Sequence, residues 1–348
     1  MAGFISCLQS STDIVSSMQS DDLFNGNFDQ TPKPDEFLLI DGHAIIYRAY
    51  HAFPELTDPN GQLVNAVYGF ARILLVAIRD FEPEYIAVCF DSKAKTIRAE
   101  EHDFYKAHRP EMPDDLKPQI EKVSQLVSAL NIPQFALSGY EADDLIGTLA
   151  KQNAKPEIQS QTKNGLLTVI VTGDKDLLQL VDDLTHVWLP KRSRTQTDLE
   201  YDAHLVKDKM GVRPDQIVDL KALMGDASDN IPGIKGVGQK TAVKLLQKFE
   251  TLGKIYDRMG ELELGGHDPL IKGSLLEKLT LGKSQAYLSR ELAQIQTNTP
   301  ISTTLDACRV MGYDKAKAVD LFQQLGFSSL LKLFPKDEFE QGVQTALF

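Results

Sequence analysis

The sequence predicts an α/β fold, a parallel sheet covered by helices, with an all-helical region following it. Three observations carry this. FLLID (37–41), YIAVCFD (85–91) and LTVIVTGD (167–174) are short apolar runs of the kind that form strands buried on both faces. Helical patterns lie between them, at 63–80, 114–131 and 141–152, and strands alternating with helices imply parallel βαβ units. After about residue 205 the strand-like runs stop, and 214–224, 239–249, 274–296 and 314–333 read as helices separated by Gly-, Pro- and Asp-rich joints.

Taken in order, residues 1–36 are rich in Ser, Asp, Asn and Gln, lack periodicity and end in TPKPDE, which reads as a disordered leader. The α/β core is expected over 37–205, the helical region over 206–335, and a tail or linker start over 336–348. At 348 residues, 42% hydrophobic and 25% charged, the composition is that of an ordinary soluble globular chain. No apolar run approaches the roughly 20 residues that span a bilayer, and the acidic start lacks a signal-peptide pattern. Cys7, Cys89 and Cys308 are too scattered for a disulfide framework or a zinc site, so a reducing cytoplasm is expected.

A formal charge of −12 argues at first against a nucleic-acid partner. Its distribution matters more than its total. The leader holds six acids against Lys33, and nine further acids fall in clusters with a common logic. Without both sets the chain is slightly positive.

Each apolar run ends in an aspartate: Asp41, Asp91 and Asp174. In an open parallel sheet, ligands gather at the carboxyl ends of the strands, so these three are expected to converge. Glu141, Asp143 and Asp144 open a helix, where the positive end of its dipole favours anions. Asp176 follows Asp174 by two residues, and Asp226 and Asp229 sit in a loop between helices. Singly, such acids are helix caps or turn residues. Together they form a set that is tolerable only with cations bound or protons taken up. Oxygen donors without His or Cys point to Mg²⁺ or Mn²⁺, and two such ions can activate water and stabilise a leaving oxygen.

Six segments, in order, resemble the 5′→3′ exonuclease domain of bacterial DNA polymerase I, within the flap endonuclease family. They are LLIDGHAIIYRAYHAFP (39–54), CFDSKAKTIR (89–98), FYKAHRPEMPDDL (104–116), GYEADDLIGTLA (139–150), TGDKDLLQLV (172–181) and LMGDASDNIPGIKGVGQKTA (223–242). The resemblance covers roughly 37–335. It implies a PIN-like nuclease core with a helical arch and a helix–three-turn–helix element that grips duplex DNA. It implies that all nine acids hold two Mg²⁺, for which Mn²⁺ substitutes, with Asp41, Asp91, Glu141 and Asp143 nearest the scissile phosphate. Lys106 and Arg109 would then stabilise the transferring phosphate.

Arg48, Tyr50, Lys93, Lys95, Arg98, Tyr105 and His108 are candidates for DNA contact, with Tyr105 stacking on a base near the cut. GIKGVGQKTA (233–242) fails as a Walker A motif, because Gln239 separates Gly238 from Lys240. Gly236, Gly238, Lys240 and Thr241 are read instead as a phosphate grip, with a K⁺ bridging hairpin and DNA. His43 departs from the small hydroxyl residue expected after Asp-Gly, and reads as tolerated bulk or a contact behind the ligands. The implied partners are DNA with 5′ flaps or 5′ ends, RNA primer–DNA hybrids, and a polymerase region in cis or trans; the implied location is the nucleoid. A junction-binding module without activity and a ribonuclease on the same scaffold are the other readings. The complete acid set argues against the first. The basic segment and glycine hairpin argue against the second.

Overall fold

Along strand β1 (Asp35–Asp41), Phe37 and Leu39 enter one hydrophobic core while Leu38 and Ile40 enter another. That alternation requires cover on both faces. The computed structural model describes residues 33–190 and 198–334, apart from the side chain of Glu263. The leader expectation at 1–32 and the tail expectation at 336–348 lie outside the described residues. Asp35 and Glu36, read as the end of the leader, pair instead with Leu166 and Leu167 as the start of the strand.

The sheet has the order β3-β2-β1-β4-β5-β6, with β2 (Tyr85–Cys89), β3 (Gln134–Phe135), β4 (Leu166–Val171), β5 (Thr185–Leu189) and β6 (Leu199–Tyr201). All neighbours are parallel except β5 and β6. The three strands with apolar runs are the central ones. The strands not read from sequence, β3, β5 and β6, lie toward the edges, and β3 and β6 are the shortest.

The chain runs outward from β1 to β3, then returns to β4 on the other side of β1. The direction of winding therefore switches between β1 and β4, where a crevice opens at the carboxyl ends.

One face is covered by α1 (Gly42–Ala52), α2 (Asn65–Phe81), α4 (Lys117–Ala129) and, from the far end of the chain, α13 (Lys315–Gln324). The segment read as an arch, between β2 and α4, holds the short α3 (Ile97–Glu101) and then consecutive turns. On the other face lies α5 (Ala142–Asn153), followed in the chain by the short α6 (Pro156–Gln159).

The same core continues into the helical region: α7 (Ala203–Met210), α8 (Ile217–Met224), α9 (Gln239–Phe249), α10 (Leu252–Glu263), α11 (Ser274–Leu281) and α12 (Lys283–Ala293). Buried Asp219 on α8 ties it together, accepting from Arg290 Nε and from Leu252 N, both at 2.8 Å. Among the described residues no helix is long and apolar enough to cross a membrane.

The helix read at 274–296 is broken at Gly282, where a Cβ would stand 2.6 Å from Ile234 Cγ2. Close approach of the hairpin to this corner selects glycine and splits the helix. Within the hairpin, Gly233 has φ +59° and presses on Gly225, its absent Cβ only 2.1 Å from Gly225 N. Gly238, just before α9, has open space instead. Gly233→Ala is therefore expected to cost roughly 3 kcal/mol of stability, from backbone overlap and left-handed strain. Gly238→Ala should cost under about 1 kcal/mol. Denaturant unfolding of both variants checks the contrast, and equal losses would refute it.

Candidate active site

Asp41 closes β1 and caps α1, its Oδ1 accepting from Ala44 N at 3.1 Å. Register puts it beside Thr172, whose Oγ1 donates to Asp41 Oδ2 at 2.7 Å. Thr172 Oγ1 also accepts from Asp174 N at 2.9 Å, and Asp174 Oδ1 accepts from Asp176 N at 2.9 Å. On the other side of β1, Asp91 lies two residues past β2, and its Oδ1 accepts from Ala142 N at 2.8 Å. That amide opens α5, so the helix dipole and a free N–H both favour the Asp91 anion. Glu141 and Asp143 come from the same helix start.

These side chains line one open cavity of about 1810 Å³. Of the nine candidate acids, Asp41, Asp91, Glu141, Asp143, Asp174 and Asp176 line it. Burial pushes the Asp41 carboxyl up to about 7, against hydrogen bonds from Thr172 and Ala44 and with help from Asp91 and Asp174. Burial also raises Asp143 well above its usual range, with Asp41 and Asp174 adding to it. Asp176 rises to about 7 through burial and the Asp174 charge, although Lys221 opposes it.

The other three acids face fixed cations. Asp144 is almost fully buried and forked by Arg98, Nη1 to Oδ2 at 2.8 Å and Nη2 to Oδ1 at 2.7 Å. Its oxygens also accept from Gln296 N at 2.8 Å and Glu141 N at 3.2 Å. That corrects two expectations together: Asp144 lies outside the cavity lining with its oxygens held by Arg98 and backbone amides, and Arg98 is buried against it, not exposed for DNA contact. Asp229 accepts from Arg109 Nη2 at 2.6 Å. Asp226 accepts from Lys221 Nζ at 2.6 Å and from Ser228 N at 2.8 Å. Burial would raise the Asp226 carboxyl, but Lys221 and Ser228 hold it at about 2.

Lys106 reaches back across the cavity to Glu141 Oε2 at 2.8 Å, with Asp229 Oδ2 at 3.8 Å. Burial alone would push its ammonium down, yet Glu141, Tyr105 and Asp229 hold it above its usual value. Its backbone, at φ +56°, donates to Asp229 O at 3.0 Å, while Asn230 Nδ2 donates to Phe104 O at 2.7 Å. The arch segment is thus stitched to the hairpin loop. Tyr105 is buried there, its hydroxyl 3.3 Å from Glu141 Oε2, so its ring is not available to stack on a base.

Lys93 and His108 are exposed on the cavity wall, and Lys95 is exposed beside it. Arg48 lines the cavity and donates to the Pro190 carbonyl. Tyr50 is not among the lining residues, and its hydroxyl donates to Asp115 at 3.0 Å. Gly236, at φ +80°, Gly238 and Lys240 are exposed ahead of and at the start of α9, and Thr241 is half-buried.

Two residues escaped the sequence reading. Lys221 bridges Asp176 and Asp226, and its only signal was a basic residue inside the otherwise apolar helix IVDLKALM, two positions after Asp219. Thr172 was a polar residue closing an apolar strand. As the side chains stand, no three His, Cys, Asp or Glu groups among the described residues are close enough to hold a metal ion. Lys106, Lys221, Arg98 and Arg109 take part of the acidic charge instead.

A parallel sheet with an acidic crevice at its winding switch, joined to a helical hairpin region, defines a resolvase-like nuclease fold. The chain belongs to the 5′-3′ exonuclease family: residues 36–211 match the family's N-terminal resolvase-like domain and 212–316 its C-terminal SAM fold. It is 40% identical over 309 residues to DNA polymerase I of Caldicellulosiruptor bescii, and 38% identical over 305 residues to that of Bacillus subtilis. Each alignment covers 88% of this chain but 34% and 33% of the relatives, so the chain spans about a third of their length. Among solved structures it resembles the bacteriophage T5 D15 protein co-crystallised with metal ions, at a TM-score of 0.59 and 20% identity over 83% of this chain and 99% of that one. The catalytic core of Rad2 in complex with DNA substrate gives 0.53 and 19%, over 87% and 96%.

Arg98→Ala leaves Asp144 buried and unpaired, so a loss of about 3–5 kcal/mol is expected in denaturant unfolding. A loss below about 1 kcal/mol would show that the fork contributes little to folding.

Proposed function

We propose that the chain is a structure-specific 5′ nuclease. It hydrolyses DNA phosphodiesters at 5′ flaps and 5′ ends with two divalent metal ions, removing RNA primers and displaced flaps in replication and repair. The observation that carries this is the set of six carboxylates lining one cavity, with Asp41 and Asp176 pushed up to about 7 by burial and by neighbouring acids. Such crowding calls for cations. Carboxylate donors fit Mg²⁺, with Mn²⁺ as a substitute. Asp41, Asp91, Glu141, Asp143, Asp174 and Asp176 would hold the ions, with Asp226 and Asp229 behind them. Bound, the ions supply an activated water and neutralise the leaving oxygen.

The chain's own residues do the rest. Lys106 and Arg109 bring fixed positive charge to the cavity, suited to a phosphate that gains charge as it transfers. Lys93, Lys95, Arg48 and His108 suit the phosphates of a single strand on its way through. Gly236, Gly238, Lys240 and Thr241 suit the duplex backbone at the start of α9, where a K⁺ would assist. A polymerase region, in cis or in trans, is the natural partner, and the nucleoid the natural location.

Cleavage of a 5′-labelled flap duplex with Mg²⁺ and with EDTA tests the reading. Cutting near the junction should need Mg²⁺, and Asp174→Ala should abolish it. Lys106→Ala should lower the rate about 10²–10³-fold while binding changes little. Tight flap binding without cutting in either Mg²⁺ or Mn²⁺ would favour a binding module.

The metal-free protein has a pH signature as well. Asp41 and Asp176 titrate higher folded than unfolded, so each stabilises the fold fully in acid and loses that contribution as pH rises through about 7. With EDTA, Tm should fall between about pH 4 and 7, and Mg²⁺ should restore it at pH 7 and above. A Tm that rises over this window in EDTA would contradict the assignment.

A further inference from the structure

β2 ends at Cys89, and Phe90 N still donates to Phe135 O. The next amide, Asp91 N, has passed the end of the ladder. It donates instead to His43 Nδ1 at 3.0 Å, and that nitrogen lies 3.7 Å from Asp91 Oδ2. An Nδ1 that accepts from a backbone N–H is unprotonated, which puts the ring proton on Nε2. The imidazole is mostly buried and sits edge-on to Phe90, at 5.6 Å and 88°. Phe90 in turn fills the space over Gly42, where a Cβ would meet its ring at 2.4 Å. The Asp41-Gly42-His43 run therefore grips the exit of β2 through an apolar contact and a hydrogen bond.

We propose that His43 is the positioning residue for Asp91, setting the direction in which that carboxylate enters the cavity. The inference rests on the reading of Asp91 as a metal-holding acid. Asp91 has two anchors: its amide is fixed by His43, and its Oδ1 by Ala142 N at 2.8 Å. Asp91 lines the cavity, and Oδ2 is the oxygen that Ala142 does not hold. Without the imidazole, the chain at the strand exit keeps a single anchor, on a side chain that is 45% exposed. A serine at 43 is one atom too short to place an acceptor where Nδ1 stands. Asparagine is not, because its Oδ1 falls at the Nδ1 position, whereas glutamine places its oxygen near Nε2.

The test compares His43→Ala, His43→Asn and His43→Gln with Asp91→Asn. Two readouts need no catalysis: hydrogen exchange at the Asp91 amide in metal-free protein, and Mn²⁺ binding by spin-resonance titration. The Mg²⁺ concentration for half-maximal flap cleavage is the third. Alanine and glutamine should speed exchange at that amide and weaken Mn²⁺ binding about tenfold or more, as loss of a ligand's supporting contact does, while asparagine restores both. Asparagine behaving like alanine, or alanine leaving exchange and Mn²⁺ binding unchanged, would overturn the role of His43. Asp91→Asn separates the two ideas. If it weakens Mn²⁺ binding while His43→Ala does not, only this inference falls. If Asp91→Asn also leaves binding and cleavage intact, the metal-site reading falls with it.

Discussion

Mutual repulsion among carboxylates governs this structure. Two such charges about 4 Å apart cost roughly 4 kcal/mol at an effective dielectric near 20. Six carboxylates line a single cavity, and water reaches several of them poorly. The fold answers in two ways. Asp41, Asp143 and Asp176 have raised affinity for protons, and Lys106, Lys221, Arg98 and Arg109 are drawn in as fixed counter-charges. The same forces that make the site unfavourable when bare make it receptive to cations.

Sheet topology makes the crowding possible. Asp41 and Asp174 flank the winding switch between β1 and β4, and Asp91 follows the strand on the other side of β1. The start of α5 then delivers Glu141 and Asp143, and its first amide holds Asp91. Asp41, Asp91 and Asp174 each accept from a backbone amide. The acids at the strand ends are therefore fixed from beneath by the backbone, while the upper edge of the site is made of side chains.

That upper edge comes from distant parts of the chain. The arch segment contributes Lys106 and Arg109, and the hairpin loop contributes Asp229, with Lys106 N on Asp229 O joining them. Lys221 links Asp176 of the core with Asp226 of the helical region. Cations are therefore shared between acids that line the cavity and acids outside it. A metal ion arriving at Glu141 or Asp176 would compete with a lysine already there, which ties metal binding to the seating of arch and hairpin.

The sequence by itself determined the central strands, the helices between them and the aspartates at the strand ends. Those features are written in local periodicity and in the polarity of one residue after an apolar run. It also carried enough ordered motif to identify the family. Only the tertiary structure decided which acids face the cavity, because that depends on partners far along the chain. Arg98 reaches Asp144 across 46 residues and Gln294 across 196, and this pairing removes both from the roles their motifs suggested. Tyr105 is buried for the same reason, and Lys221 stood unnoticed in an apolar helix until Asp176 came to meet it. Gly282 was a weak local hint of a helix break, but the close approach of Ile234 that requires glycine there emerges only in the tertiary structure. Short-range propensity writes elements into a sequence, whereas the pairing of buried charges is settled only when distant elements compete for the same space.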